Sequence, residues 1–119
     1  MVKGAVLTLG QKQRLFTRLM AELIEWAYDQ GYELTFGDAY RDPRLHGQHG
    51  ESGGYGAKGS CHKLRLAVDL NLFKDGEFLE QTEDHLPLGQ YWETLHPSCV
   101  WGGKFKDGNH YSFEHNGFK

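Results

Sequence analysis

Two carboxylate–imidazole pairs stand out in this chain. His62 and Asp69 lie seven positions apart, and Asp107 and His110 three apart. From Leu66 to Phe73 the chain reads L-A-V-D-L-N-L-F, so Leu66, Val68, Leu70 and Leu72 share one face of a strand and Ala67, Asp69 and Asn71 the other. Asp69 therefore projects opposite the aliphatic row, where a carboxylate needs water, a hydrogen-bond donor, a cation or a metal. His62 sits just upstream, where a bend brings it to the same side. Two histidines and one aspartate around an open position form a reasonable ligand set for catalytic zinc. Asp107 has a plainer reading beside this one, as the turn-forming residue of Asp107-Gly108-Asn109.

These residues need elements to hold them. Thr8-Leu9-Gly10-Gln11 has the form of a capping box. Leu15, Phe16, Leu19, Met20, Leu23, Ile24, Trp26 and Ala27 follow at helical spacing, and Gly31 is a good stop, which predicts a helix over about 8–30. Tyr32, Leu34 and Phe36 alternate with polar residues in a strand running towards Tyr40 and ending before Pro43. Residues 44–59 carry six glycines and form no regular element; a loop of this length in so small a domain reads as a flap or wall beside a cleft, with His46 and His49 as solvated or ligating side chains. The strand 66–73 turns at Asp75-Gly76 into a hairpin. A helix over 84–97 buries Leu86, Leu88, Tyr91, Trp92 and Leu95, with His85 and His96 as ordinary polar positions. Cys99-Val100-Trp101 is extended, Gly102-Gly103 lets the backbone pass close to something, and Asn109 to Phe113 forms an edge strand carrying His110.

Bulk properties bound the function. A chain of 119 residues is a single domain, 1–119, that removes roughly 65% of its unfolded surface on folding. A net charge of −3 gives no basic footprint, so nucleic acid is disfavoured as a partner. No apolar run approaches the ~20 residues of a membrane helix, and Met1 to Thr8 is too poor in apolar residues for a secretory signal, so the expectation is cytoplasmic synthesis without membrane insertion. Two cysteines, Cys61 and Cys99, make no disulfide framework and read as small buried hydrophobes.

Ser60-Cys61-His62 through Asp69, then Tyr91-Trp92, Trp101-Gly102-Gly103 and the late Asp107-x-x-His110, resemble the zinc peptidases that cleave peptidoglycan stem peptides. That family comprises D-alanyl-D-alanine carboxypeptidases and dipeptidases and the bacteriophage L-alanyl-D-glutamate endopeptidases. Ala39-Tyr40-Arg41 resembles its G-Y-R segment, with Asp38 where a small residue is commoner, and the likeness covers roughly 35–119. The resemblance implies His62, Asp69 and His110 as zinc ligands and Asp107 as general base. It implies Arg41 as a cation binding substrate or transition state, and Ser60 as a lesser substrate-binding neighbour. The family's S-x-H-x-x-G-x-A-x-D pattern is broken at Arg65, which replaces its glycine and bears on the turn between the two ligands. Glu114 is a rival for the base.

The expected fold is α+β, a small antiparallel sheet with helices packed on one side, like that of Hedgehog and D-Ala-D-Ala peptidase domains. The expected function is a zinc metallopeptidase, favouring a monomeric endolysin-type L-alanyl-D-glutamate endopeptidase. It would reach the peptidoglycan stem peptide in the periplasm through a membrane lesion made by another protein. D-Ala-D-Ala cleavage is the near alternative. A cysteine amidase using Cys61 and a non-catalytic zinc-stabilised cell-wall-binding domain are alternatives of other classes.

Overall fold

The computed structural model describes residues 6–39 and 61–119. They form an α+β fold in which two helices pack against a five-stranded antiparallel sheet. Helix α1 spans Leu9–Asp29 and starts with the expected box: the Gln11 N–H donates to Thr8 Oγ1 and the Thr8 N–H to Gln11 Oε1. Its face of Phe16, Leu19, Met20, Leu23 and Ala27 is buried. Strand β1 (Tyr32–Phe36) pairs with β2 (Ala67–Lys74), the longest strand. Asp75 and Gly76 both take positive φ, 52° and 79°, in a two-residue turn whose twist matches the strands it joins, and the chain returns as β3 (Glu77–Leu79). A 3₁₀ turn (Thr82–His85) leads into α2 (Leu86–Leu95), followed by β4 (Cys99–Trp101), a second such turn (Gly102–Phe105) and β5 (His110–Phe113).

The aliphatic row of β2 is buried as its alternation predicts, against Leu23, Leu88, Trp92 and Phe113. Fully burying a side chain such as Leu70 stabilises the fold by about 1.5–3 kcal/mol. The helices meet through Phe16 edge-on to Trp92, and through Trp26 stacked on Tyr91 with ring centroids 4.5 Å apart. Trp92 spends its one polar atom on the sheet, donating Nε1–H to the Ser112 carbonyl. Ala67 is buried as well, so the uncovered side of β2 starts with the half-buried Asp69 and Asn71. Among the described residues no helix is long and apolar enough to cross a membrane.

Four expectations need correction. β5 is not an edge strand: it lies between β2 and β4 in the order β1-β2-β5-β4, and all four of its residues are buried. β1 stops at Phe36, beyond which Gly37 and Asp38 still hydrogen-bond to Asp69 of β2. Leu86 is 44% exposed, and the buried face of α2 starts at Leu88. His85 is buried, not an ordinary polar position.

Candidate metal centre

His62 belongs to a short 3₁₀ turn, Cys61–Leu64, that runs directly into β2. The bend between them is made by Arg65 at φ 57°, closed by the Leu66 N–H donating to the Cys61 carbonyl (2.9 Å). This left-handed conformation costs a non-glycine residue about 1 kcal/mol. Arg65 therefore adopts a backbone conformation that favours glycine, and the turn brings His62 round to Asp69.

Pairing in register sets Asp69 opposite His110 across β2 and β5. The three side chains converge. His62 Nε2 is 3.2 Å from Asp69 Oδ1 and 3.2 Å from His110 Nδ1, and His110 Nδ1 is 3.6 Å from Asp69 Oδ1. Four ligand atoms placed tetrahedrally at zinc's usual bond lengths of about 2.0–2.1 Å stand roughly 3.3 Å apart, so the triangle has the edges of one tetrahedral face.

Hydrogen-bond chemistry gives an independent test of fit. His62 Nδ1 is 3.0 Å from the Ala39 carbonyl, which only accepts, so that nitrogen carries the proton. In neutral His62 the lone pair is then on Nε2, aimed at a carboxylate and a second imidazole. Asp69 Oδ1 is buried without a hydrogen-bond partner among the described residues, and so is His110 Nε2. Burial alone would raise the Asp69 carboxyl. The two imidazoles beside it outweigh that effect and hold the carboxyl well below the usual carboxylate range. A divalent cation at the centre of this triangle could be held by the carboxylate and both imidazoles. Two imidazoles and one carboxylate suit zinc and are not specific to it.

The Ala39 carbonyl arrives by a route that β1 dictates. The Gly37 N–H donates to the Asp69 carbonyl (2.7 Å) and the Asp69 N–H to the Asp38 carbonyl (2.6 Å). A Cβ on Gly37 would sit 3.2 Å from that of Asp69, so a side chain there would crowd the carboxylate.

Asp107 stands beside the triangle and outside it. Its Oδ2 is 4.0 Å from His110 Nδ1, and its side chain is 53% exposed. The turn bearing it is pinned from three directions. The Asp107 N–H donates to the Gly102 carbonyl (2.9 Å), Trp101 Nε1–H to the Gly108 carbonyl (2.7 Å), and the His110 N–H to the Asp107 carbonyl (3.1 Å). Gly102 and Gly108 are glycines because Cβ atoms there would collide with the Asp107 carbonyl oxygen (2.2 Å) and with Thr82 Cα (2.6 Å). Glu114 lies past the end of β5 beside Glu93 and Lys104, in a different depression.

Arg41, Ser60, His46 and His49 lie outside the described residues. Cys61 is buried, with its thiol 3.3 Å from the Phe118 carbonyl, and burial pushes it up to about 12; Cys99 is raised likewise. Neither sulfur has the thiolate character that nucleophilic chemistry needs. Sequence reasoning passed over the Ala39 carbonyl, the Trp101 N–H and the His85–Tyr111 hydrogen bond (2.8 Å). Gly37 inside a strand pattern was the signal for the first, since glycine there marks a close backbone approach.

His85 gives a pH dependence. Burial lowers it from 6.5 to about 4, partly opposed by Asp84. Between those values the unfolded chain binds a proton that the folded chain does not. The stability contribution is therefore complete above pH 6.5 and is lost as pH falls towards 4, about 3 kcal/mol in all. Urea titrations of metal-free protein at pH 4.5 and 7 should show a steeper loss for the natural chain than for His85→Gln. Equal losses would mean that His85 takes up its proton while folded.

No family model matches this chain, and no curated protein does either.

Proposed function

We propose that this chain is a zinc metallopeptidase acting on peptidoglycan stem peptides, of the L-alanyl-D-glutamate endopeptidase type. The observation that carries the reading is the His62–Asp69–His110 triangle with the carboxylate of Asp107 beside it and not in it. His62, Asp69 and His110 would hold the ion, and zinc held there would supply Lewis acidity and lower the pKa of a water to about 7. Asp107 takes a proton from the attacking water as it adds to the amide carbonyl, and returns it to the nitrogen as the carbon–nitrogen bond breaks. The Ala39 carbonyl holds His62 in the tautomer that presents Nε2. The resemblance adds Arg41, as the guanidinium that shares the developing oxyanion charge, and Ser60 beside the substrate. The choice of peptidoglycan rests on the resemblance; the choice of hydrolysis rests on the separation of ligands from base.

The test is digestion of purified cell-wall sacculi by zinc-loaded protein, followed by identification of the new termini. New amino groups on D-glutamate are the expected result. Free D-alanine would move the reading to a carboxypeptidase, and intact stem peptide freed from muramic acid would make it an amidase. Binding of sacculi without any cleavage would leave a zinc-stabilised wall-binding domain.

A further inference from the structure

One arm of the metal centre does not stand on a strand. Asp69 and His110 are fixed by the pairing of β2 with β5. His62 stands on the four-residue 3₁₀ turn Cys61–Leu64, so its reach to Asp69 depends on how that turn is seated. Gln13 of α1 holds the far end of the turn, donating Nε2–H to the Leu64 carbonyl (2.8 Å). The near end is held through Cys61, which is fully buried. Its thiol donates to the Phe118 carbonyl (3.3 Å), with the Phe113 carbonyl at 3.6 Å.

Phe118 belongs to a small hairpin. His115 and Phe118 exchange both N–H to carbonyl bonds at 2.9 Å, around Asn116 at φ 49° and Gly117 at φ 84°. Two successive positive φ values are what such a two-residue turn needs. The hairpin is itself anchored. Lys12 Nζ of α1 is 3.0 Å from His115 Nδ1, and the Glu114 N–H donates to the Ser98 carbonyl (2.8 Å). A braced turn thus presents an acceptor to the residue immediately before a candidate ligand.

Resting on the metal reading above, we propose that the hairpin His115–Phe118 is a positioning strap for the metal centre. The Phe118 carbonyl seats Cys61, and Cys61 sets where His62 stands. Cys61 acts as a positioning residue and not as a ligand. Metal–ligand distances tolerate only about 0.2 Å of error. The helices and sheet have their own core, so loosening the strap should cost zinc affinity before it costs the fold.

The strap is tested from both ends. A Cβ on Gly117 meets nothing within 4 Å, so Gly117→Val acts through the strain of a β-branched residue at φ 84°, whereas Gly117→Asn tolerates that backbone. Cys61→Ala removes the thiol. Zinc affinity is measured by chelator competition. Gly117→Val and Cys61→Ala should each weaken it about tenfold, the low end of what groups behind a metal ligand contribute. Gly117→Asn should stay close to the natural chain. The double variant Cys61→Ala with Gly117→Val should bind no more weakly than Cys61→Ala alone, because the link is already cut. Tyr28→Phe removes a hydroxyl bonded to Leu34 of β1, and should lower the melting temperature without changing zinc affinity. In metal-free protein carrying Cys99→Ala, Gly117→Val should speed labelling of Cys61 by a disulfide reagent, which reports opening of the strap with no metal present. Should Cys61→Ala not fold, the contrast between Gly117→Val and Gly117→Asn decides alone. Faster labelling at unchanged zinc affinity, or additive losses in the double variant, would refute the strap and leave the metal centre standing. If the natural chain itself binds no zinc, the metal reading falls and the strap with it.

Discussion

Asp107→Asn should keep fold and zinc and lose a factor of about 10²–10⁴ in turnover, the usual range for a positioned general base. The substitution is nearly isosteric. The backbone contacts that pin this turn, from Gly102, Trp101 and His110, do not involve the Asp107 carboxylate, so His110 should remain in place. Only the capacity to accept a proton at neutral pH is removed. Zinc content by atomic absorption, thermal melting and kcat measured on one preparation separate the effects. Glu114→Gln should be mild, because Glu114 lines a depression elsewhere. Loss of zinc in Asp107→Asn would make Asp107 a fourth ligand, and a larger effect from Glu114→Gln would move the base to Glu114.

His62→Ala and His110→Ala should each lose stoichiometric zinc and all measurable activity. A tetrahedral site left with two protein ligands loses most of its binding energy, and Asp69 would be left half-buried beside one imidazole instead of two. In the natural chain, zinc affinity should fall as pH drops, because metal binding requires deprotonated ligands. The check is competition against a chromogenic chelator from pH 5 to pH 8. Either alanine variant holding one zinc per chain would show that the ligand set is wrong. Inactivation by iodoacetamide but not by chelators would move the chemistry to a cysteine, against the buried and protonated state of Cys61.

Some of this architecture is local in origin and could be read directly. The Thr8–Gln11 box closes across three residues, so α1 starts where the pattern says. The Asp75–Gly76 hairpin is a two-residue turn whose positive φ values those residue types accept. The alternation in 66–73 reports which side chains are buried whatever covers them and sets Asp69 on the open side, with Ala67 alone buried out of turn. Histidine and aspartate are also chemically distinctive, so the ligand candidates stood out before any contact was known.

The rest depends on pairings between distant segments, which no local pattern encodes. His-Tyr-Ser-Phe reads equally well as an edge or an interior strand; β5 is interior because β4 arrives on its far side. That placement buries His110 and sets it across from Asp69, turning two candidates into neighbours. His85 has the composition of a surface position, yet it is buried with its ring hydrogen-bonded to the Tyr111 hydroxyl, 26 residues on. Ala39 contributes a backbone carbonyl, which no side-chain pattern can announce. Residue type and period determined what kinds of group this protein possesses and which way each points along its own element. Tertiary structure alone decided which groups meet, because the triangle's three edges each join residues on different elements, and only the packed sheet brings them within 3.6 Å.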